Sequence, residues 1–158
     1  VNAAEDATTY GQPGRLRVLL VEDDPADVAL IEDTFATHTL DTELHHVSDG
    51  VEAMAFLRCQ GQYADAPRPK LILLDLNMPR MNGREVLTAI KADPRLQTIP
   101  VVVFTTSAVD ADVVASYTAH ANAYVTKPID LDEFESVVQQ IHRFFGRIVT
   151  LPADSRAA

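Results

Sequence analysis

Five strand-sized segments alternate with five helical patterns along this chain, which predicts an α/β domain, a doubly wound three-layer sandwich with helices on both faces of a parallel sheet. Two of the strand segments, residues 17–21 and 71–74, are continuous apolar runs, the pattern of strands covered on both faces. Carboxylates, a hydroxyl and a lysine collect just beyond the ends of such segments, where sheets of this class bind ligands.

Residues 1–15 are small and polar, with Gly11, Pro13 and Gly14, and predict an arm with little to bury. The first strand follows at 17–21. Asp24-Pro25-Ala26-Asp27 then opens a helix: Asp24 is the N-cap, proline takes the first helical position, and Asp27 is the acid three residues after the cap. Val28, Ile31 and Phe35, spaced by three and four, give that helix its apolar face. Residues 42–47 are more polar and fit an edge strand, and 51–58 supply the second helix. The third strand is 71–74, the third helix 84–92, and the fourth strand 100–104. Val113, Val114 and Tyr117 mark a weaker fourth helix before a short fifth strand at 123–126. The last helix is the clearest, because Leu131, Phe134, Val138, Ile141 and Phe145 form one stripe from Asp130 onward. The domain is expected over 16–146, with an extension at 147–158.

A length of 158 residues fits one domain with its own core. With 23 acidic and 13 basic residues the net charge is -10, which disfavours nucleic acid and anionic lipid and points to proteins or cations as partners. Cys59 is the only cysteine, so an internal disulfide and a multi-cysteine zinc site are excluded. A reducing cytoplasm fits that usage. No apolar stretch reaches the roughly 20 residues needed to cross a bilayer.

The segment Lys70-Leu-Ile-Leu-Leu-Asp75-Leu-Asn77-Met-Pro79 delivers a carboxylate to the lip of the sheet. Glu22-Asp23 ends the first strand, Thr105 the fourth and Lys127-Pro128 the fifth. Carboxylates gathered in one pocket repel and resist ionisation. A hard divalent cation relieves this, and magnesium is the expected ion because it commonly bridges one or two carboxylates to a phosphoryl group. Asp75 would then be the nucleophile, forming an acyl phosphate, with positioning and charge neutralisation doing most of the remaining work. Lys127 can pair with a phosphoryl oxygen or with Asp75 itself. The blander alternatives are a solvated acidic lip, a surface lysine and a helix cap at Thr105. Asp24 is assigned to the cap alone. His45 and His46 are adjacent on a strand and point to opposite faces, so they chelate poorly. Together with His38, His120 and His142 they are expected to be structural or solvent-facing.

Four motifs, Val-Glu22-Asp23-Asp24, Leu-Asp75-Leu-Asn77-Met-Pro79 with Gly83, Phe-Thr105-Thr-Ser107 and Tyr124-Val-Thr-Lys127-Pro128, resemble in order those of response-regulator receiver domains of two-component signalling. The resemblance spans about 16–146 and implies a flavodoxin-like (CheY-like) fold with strand order 2-1-3-4-5. It implies that Asp75 accepts phosphate from a sensor histidine kinase. Magnesium would be held by Glu22, Asp23, Asp75 and the backbone carbonyl of Asn77, and Thr105 and Lys127 would bind the phosphoryl group. Tyr124 corresponds to the aromatic switch residue that turns inward when the Thr105 hydroxyl moves toward the phosphate. A cis Lys127–Pro128 peptide is also implied. One departure is Thr106, where a smaller residue is common.

More narrowly, Phe104-Thr-Thr-Ser107, Ser116-Tyr117, His120-Ala-Asn122, Phe144-Phe145 and Thr150-Leu151-Pro152 resemble the single-domain regulators that partner bacterial phytochromes. No output domain is expected after the receiver. Phe144, Phe145, Ile148, Val149 and Leu151 exceed what one helix face needs, which predicts a homodimer through the last helix, the fifth-strand face and the tail. A tail folded back on its own domain is the alternative.

Three rival readings differ from this one at the same residues. An aspartate-nucleophile phosphatase would carry a second Asp as general acid where this chain has Asn77. A flavodoxin would carry a hydroxyl- and glycine-rich phosphate loop where this chain has Glu22-Asp23-Asp24. A receiver used as a binding module without phosphorylation would not need the full acidic set and Lys127.

Overall fold

The computed structural model describes residues 15–37 and 41–153. The predicted arm other than Arg15, and His38, lie outside the described residues. In chain order the elements are β1 (Leu16–Val21), α1 (Pro25–Thr37), β2 (Thr42–Val47), α2 (Gly50–Leu57), β3 (Leu71–Leu74), α3 (Gly83–Ala92), β4 (Val101–Thr105), α4 (Asp110–Thr118), β5 (Ala123–Thr126) and α5 (Leu131–Arg143). All strand pairs are parallel and their order is β2-β1-β3-β4-β5. β3 and β4 are buried along their whole length, as continuous apolar runs require, whereas β2 is half-buried along most of its length at the edge.

Side chains alternate across the strands, so the sheet separates two apolar cores. On one face Leu19, Ile72, Leu74, Val101 and Val103 pack with α2 and α3 through Met54, Phe56, Val86, Leu87 and Ile90. On the other, Val18, Leu20, Leu73, Val102 and Phe104 pack with α1 and α5 through Ile31, Phe35, Phe134 and Val138. The Phe104 and Phe134 rings meet at 5.3 Å with a 50° tilt, a favourable aromatic geometry.

α4 differs from its sequence-based expectation in how it packs. The helix is present, but Val114 is 64 % exposed, Tyr117 is 50 % exposed and Ser116 is its one buried residue. Its apolar positions do not converge on one face, which is why its periodicity is weak. α5 keeps most of the expected stripe, burying Phe134, Val138 and Ile141 while Leu131 stands in solvent. Beyond it the chain continues as a wider π-type turn over Phe144–Ile148, closed by the Val149 N–H donating to the Phe144 carbonyl at 3.0 Å. Leu151 then returns to pack beside the α1–α5 core, so the tail partly folds back on its own domain. Phe144 and Ile148 remain exposed on a groove of about 680 Å³ lined also by Ala123, Val125 and Val137.

Candidate functional site

Strand register assembles the polar residues. Val21 is paired with Leu74, so the next residues, Glu22 and Asp75, emerge side by side where the winding direction reverses between β1 and β3. Thr105 is paired with Thr126, and the Lys127 N–H donates to the Thr105 carbonyl at 2.7 Å, which brings Lys127 in from β5. Glu22, Asp75, Thr105 and Lys127 are all buried, while Asp23 is exposed at the rim.

Asp75 has both oxygens engaged. Oδ1 accepts the Thr105 hydroxyl at 2.8 Å and the Asn77 backbone N–H at 3.3 Å, and Oδ2 accepts the Lys127 ammonium at 3.3 Å. Lys127 also donates to Glu22 Oε2 at 2.6 Å and to Asp27 Oδ2 at 2.7 Å, with the Phe104 ring centroid 5.9 Å away. Burial works against the charge on Lys127. Its hydrogen bonds to Asp27 and Glu22 and the nearby carboxylate of Asp75 outweigh it and hold the ammonium above lysine's ordinary value. Burial pushes the Glu22 carboxyl up to about 8, opposed by Lys127 and by the Asp24 backbone N–H.

Among the described residues Glu22, Asp23 and Asp75 form one cluster of potential metal ligands, with ligand oxygens all within 4.8 Å of one another. An all-oxygen, strongly anionic set suits a hard divalent cation. Beside it opens a cleft of about 700 Å³ lined by Asp23, Leu76, Asn77, Met78, Pro79, Asn82 and Arg84.

The structure thus gathers Glu22, Asp23, Asp75, Thr105 and Lys127 in one pocket and puts Asn77 on its lip. Tyr124 lies apart, half-buried, with its hydroxyl donating to the Ser107 carbonyl at 2.7 Å. Asp24 caps α1, accepting the Ala26 N–H at 2.9 Å. Asp27 is the residue that sequence reasoning missed. It reads as an acid of the helix start, yet α1 opens directly after β1, so its first turn faces the pocket. That adjacency was the available signal.

The implied cis peptide is corrected: every peptide bond among the described residues is trans, including Lys127–Pro128. Proline only weakens the trans preference and does not reverse it, and in the trans form Lys127 already reaches three carboxylates. Among the described residues the histidines are structural or solvent-facing, as expected, with His120 exposed. His45 bonds Glu43 Oε1 at 3.0 Å, His46 donates to the Glu22 carbonyl at 2.7 Å, and His142 is buried against Phe35.

Comparison with known proteins agrees with this geometry. The family profile for the response regulator receiver domain matches residues 18–139. Response regulator Rcp1 of Synechocystis sp. is 52 % identical over 136 residues, covering 86 % of this chain and 92 % of that protein. Among solved structures, the phosphorylated cyanobacterial phytochrome response regulator RcpA superposes with a TM-score of 0.85 at 47 % identity, covering 88 % of this chain and 99 % of the other. The Mn(2+)-bound form of Rcp1 gives 0.82 at 52 % identity, with 87 % and 99 % covered. A pocket built from the ends of four parallel strands, a matching profile over most of the chain and relatives aligned nearly end to end converge on one assignment: the chain belongs to the response regulator receiver domain family.

Proposed function

We propose that this protein takes a phosphoryl group from a sensor histidine kinase onto Asp75 and relays the signal by a phosphorylation-dependent change of shape, acting downstream of a phytochrome. The observation that carries this reading is the Asp75 carboxylate, held between the Thr105 hydroxyl and the Lys127 ammonium with Glu22 and Asp23 alongside. In the transfer an Asp75 oxygen forms a bond to phosphorus as the bond to the kinase imidazole nitrogen breaks, and the imidazole leaves with that electron pair. Lys127 and Thr105 are placed to exchange their present contacts with Asp75 for the phosphoryl oxygens. Glu22, Asp23, Asp75 and the backbone carbonyl of Asn77 would hold Mg2+, which neutralises charge on the transferred oxygens. Asp27 keeps Lys127 aligned. The protein serves as a phosphoacceptor in signalling rather than as a turnover enzyme.

The Thr105 hydroxyl lies on Asp75 and the Tyr124 hydroxyl is bonded inside the β4–α4 loop, which supports a switch through these two residues. The phytochrome partner is supported by the likeness to Rcp1 and RcpA. We also propose a receiver unit near 16–146, an extension at 147–158, a cytoplasmic site of action, and a homodimer. The homodimer is supported by the exposed Phe144–Ile148 groove. The test is incubation with acetyl phosphate and magnesium followed by intact mass. Wild type is expected to gain one phosphoryl group and Asp75→Asn none; uptake by the Asn variant would refute the assignment.

A further inference from the structure

Tyr124, Ser107, Asp112 and Arg84 form an unbroken chain of polar contacts beside the phosphoacceptor pocket. The Tyr124 hydroxyl donates to the Ser107 carbonyl at 2.7 Å, the Ser107 hydroxyl donates to Asp112 Oδ2 at 2.5 Å, and Asp112 Oδ1 is ion-paired with the Arg84 guanidinium. Ser107 stands two residues beyond Thr105, whose hydroxyl rests on Asp75. Arg84, in the first turn of α3, lines the cleft beside Asp23 and Asn77. The β4–α4 loop is therefore gripped from the pocket on one side and from α3 on the other.

Asp112 is the joint in this chain. It sits in the first turn of α4, a helix that buries Ser116 alone, so apolar packing does little to fix where α4 lies against the loop. The helix N-cap, Val109, has no side chain able to cap it. Ser107 ties the cap residue to the loop instead: its Oγ accepts the Val109 N–H at 3.4 Å, a long contact, while its hydrogen goes to Asp112. The position of the Ser107 carbonyl, and with it the place that receives the Tyr124 hydroxyl, is set through Asp112. Side-chain exposure of 20 % at Asp112 against 52 % at Arg84 makes the carboxylate the fixed end of the ion pair and the guanidinium its adjustable end.

We propose that Asp112 is a positioning residue of the switch: held by Arg84, it keeps Ser107 where the inward Tyr124 hydroxyl can reach its carbonyl. The inward pose is then stabilised by contacts that do not involve the phosphoryl group. This rests on the reading that Asp75 is phosphorylated. Breaking the latch leaves the carboxylates and Lys127 in place but lowers the fraction of molecules with Tyr124 engaged. Any ligand that favours the engaged form must then be supplied at a higher concentration, in inverse proportion to the fraction that stays engaged.

The experiment uses the full chain labelled with fluorotyrosine and titrated with beryllofluoride, a phosphoryl analogue, in the presence of magnesium. The Tyr124 fluorine resonance is assigned with Tyr124→Phe. Asp112→Asn and Arg84→Ala are each expected to raise the half-saturating beryllofluoride concentration by about 5-fold or more, the lower end of ordinary coupling between sites. The double variant should add little to either single one, and Arg84→Lys should recover most of the loss. Arg84→Ala breaks the same contact from an exposed position, so the test survives if Asp112→Asn folds poorly. Acetyl phosphate labelling of the same samples separates loss of the latch from loss of phosphoryl uptake. Normal labelling with an unshifted Tyr124 titration in both single variants overturns the latch alone. Failure of wild type to gain a phosphoryl group overturns the reading of Asp75, and the latch with it.

Discussion

Among the described residues Lys127 is the one cation in contact with Glu22, Asp27 and Asp75, and it is more buried than the last two. Removing one member of a buried ionic cluster costs more than the cluster contributes, because the others are left charged and unpartnered, typically about 3–5 kcal/mol. Lys127→Met is therefore expected to lower the denaturation midpoint strongly. Added magnesium should raise the midpoint of that variant more than that of wild type, since the ion replaces the missing charge; parallel thermal melts with and without metal check this, and an equal rise in both proteins would contradict it. Glu22, Asp23, Asp75, Thr105 and Lys127 were all legible in the sequence, because each ends an apolar strand and the strand period fixes where such ends point. Asp27 was not, since an acid at the start of a helix has a sufficient local explanation in the capping pattern and its partner lies 100 residues away. The trans Lys127–Pro128 bond escaped for a related reason: the resemblance carried an isomer that only the surroundings of this peptide could decide.

At the scale of elements, the site depends on how closely α3 approaches β3. A methyl group on Gly83 would overlap the Asp75 carbonyl and the Leu76 Cα, both backbone atoms that cannot swing aside. The Gly83 N–H donates to the Leu76 carbonyl at 3.0 Å, tying the helix start to the segment that carries the phosphoacceptor. Gly83→Ala should therefore push α3 outward, cost at least about 1–3 kcal/mol as overpacking does, and slow phosphoryl uptake because Asp75 moves with its backbone. Melting and acetyl phosphate labelling of one preparation test both halves; normal values for both would show that the helix adjusts without cost. The five strands and the amphipathic helices were readable because their patterns match their burial. α4 was only weakly so, since its apolar residues do not face a core.

For the molecule as a whole, two expectations follow from the end of the chain. His142 on α5 is 3 % exposed, and among the described residues neither ring nitrogen has a partner in hydrogen-bond geometry. Burial lowers its pKa, with Arg147 adding to that and Asp41 opposing it. The unfolded chain then takes up a proton near pH 6.5 while the folded one does not, so His142 contributes fully above that pH and its contribution is lost as pH falls through the folded value. Stability profiles of wild type and His142→Phe should converge in shape above neutral pH and separate below about 6, with the variant falling less; identical acid slopes would refute this. The exposed Phe144–Ile148 groove predicts that full-length protein sediments as a dimer at micromolar concentration and a chain ending at Gly146 as a monomer, so a monomer in both, with and without phosphate, would reject self-association. α4 carries a different consequence. With a single buried residue, its opening exposes almost no apolar surface, whereas β1, β3 and β4 cannot open without exposing both cores. Amides of residues 110–118 should therefore trade their hydrogens for solvent deuterium through local unfolding, while those of the central strands wait for the global transition. The segment that would report the signal is thus the one whose melting the rest of the molecule scarcely registers.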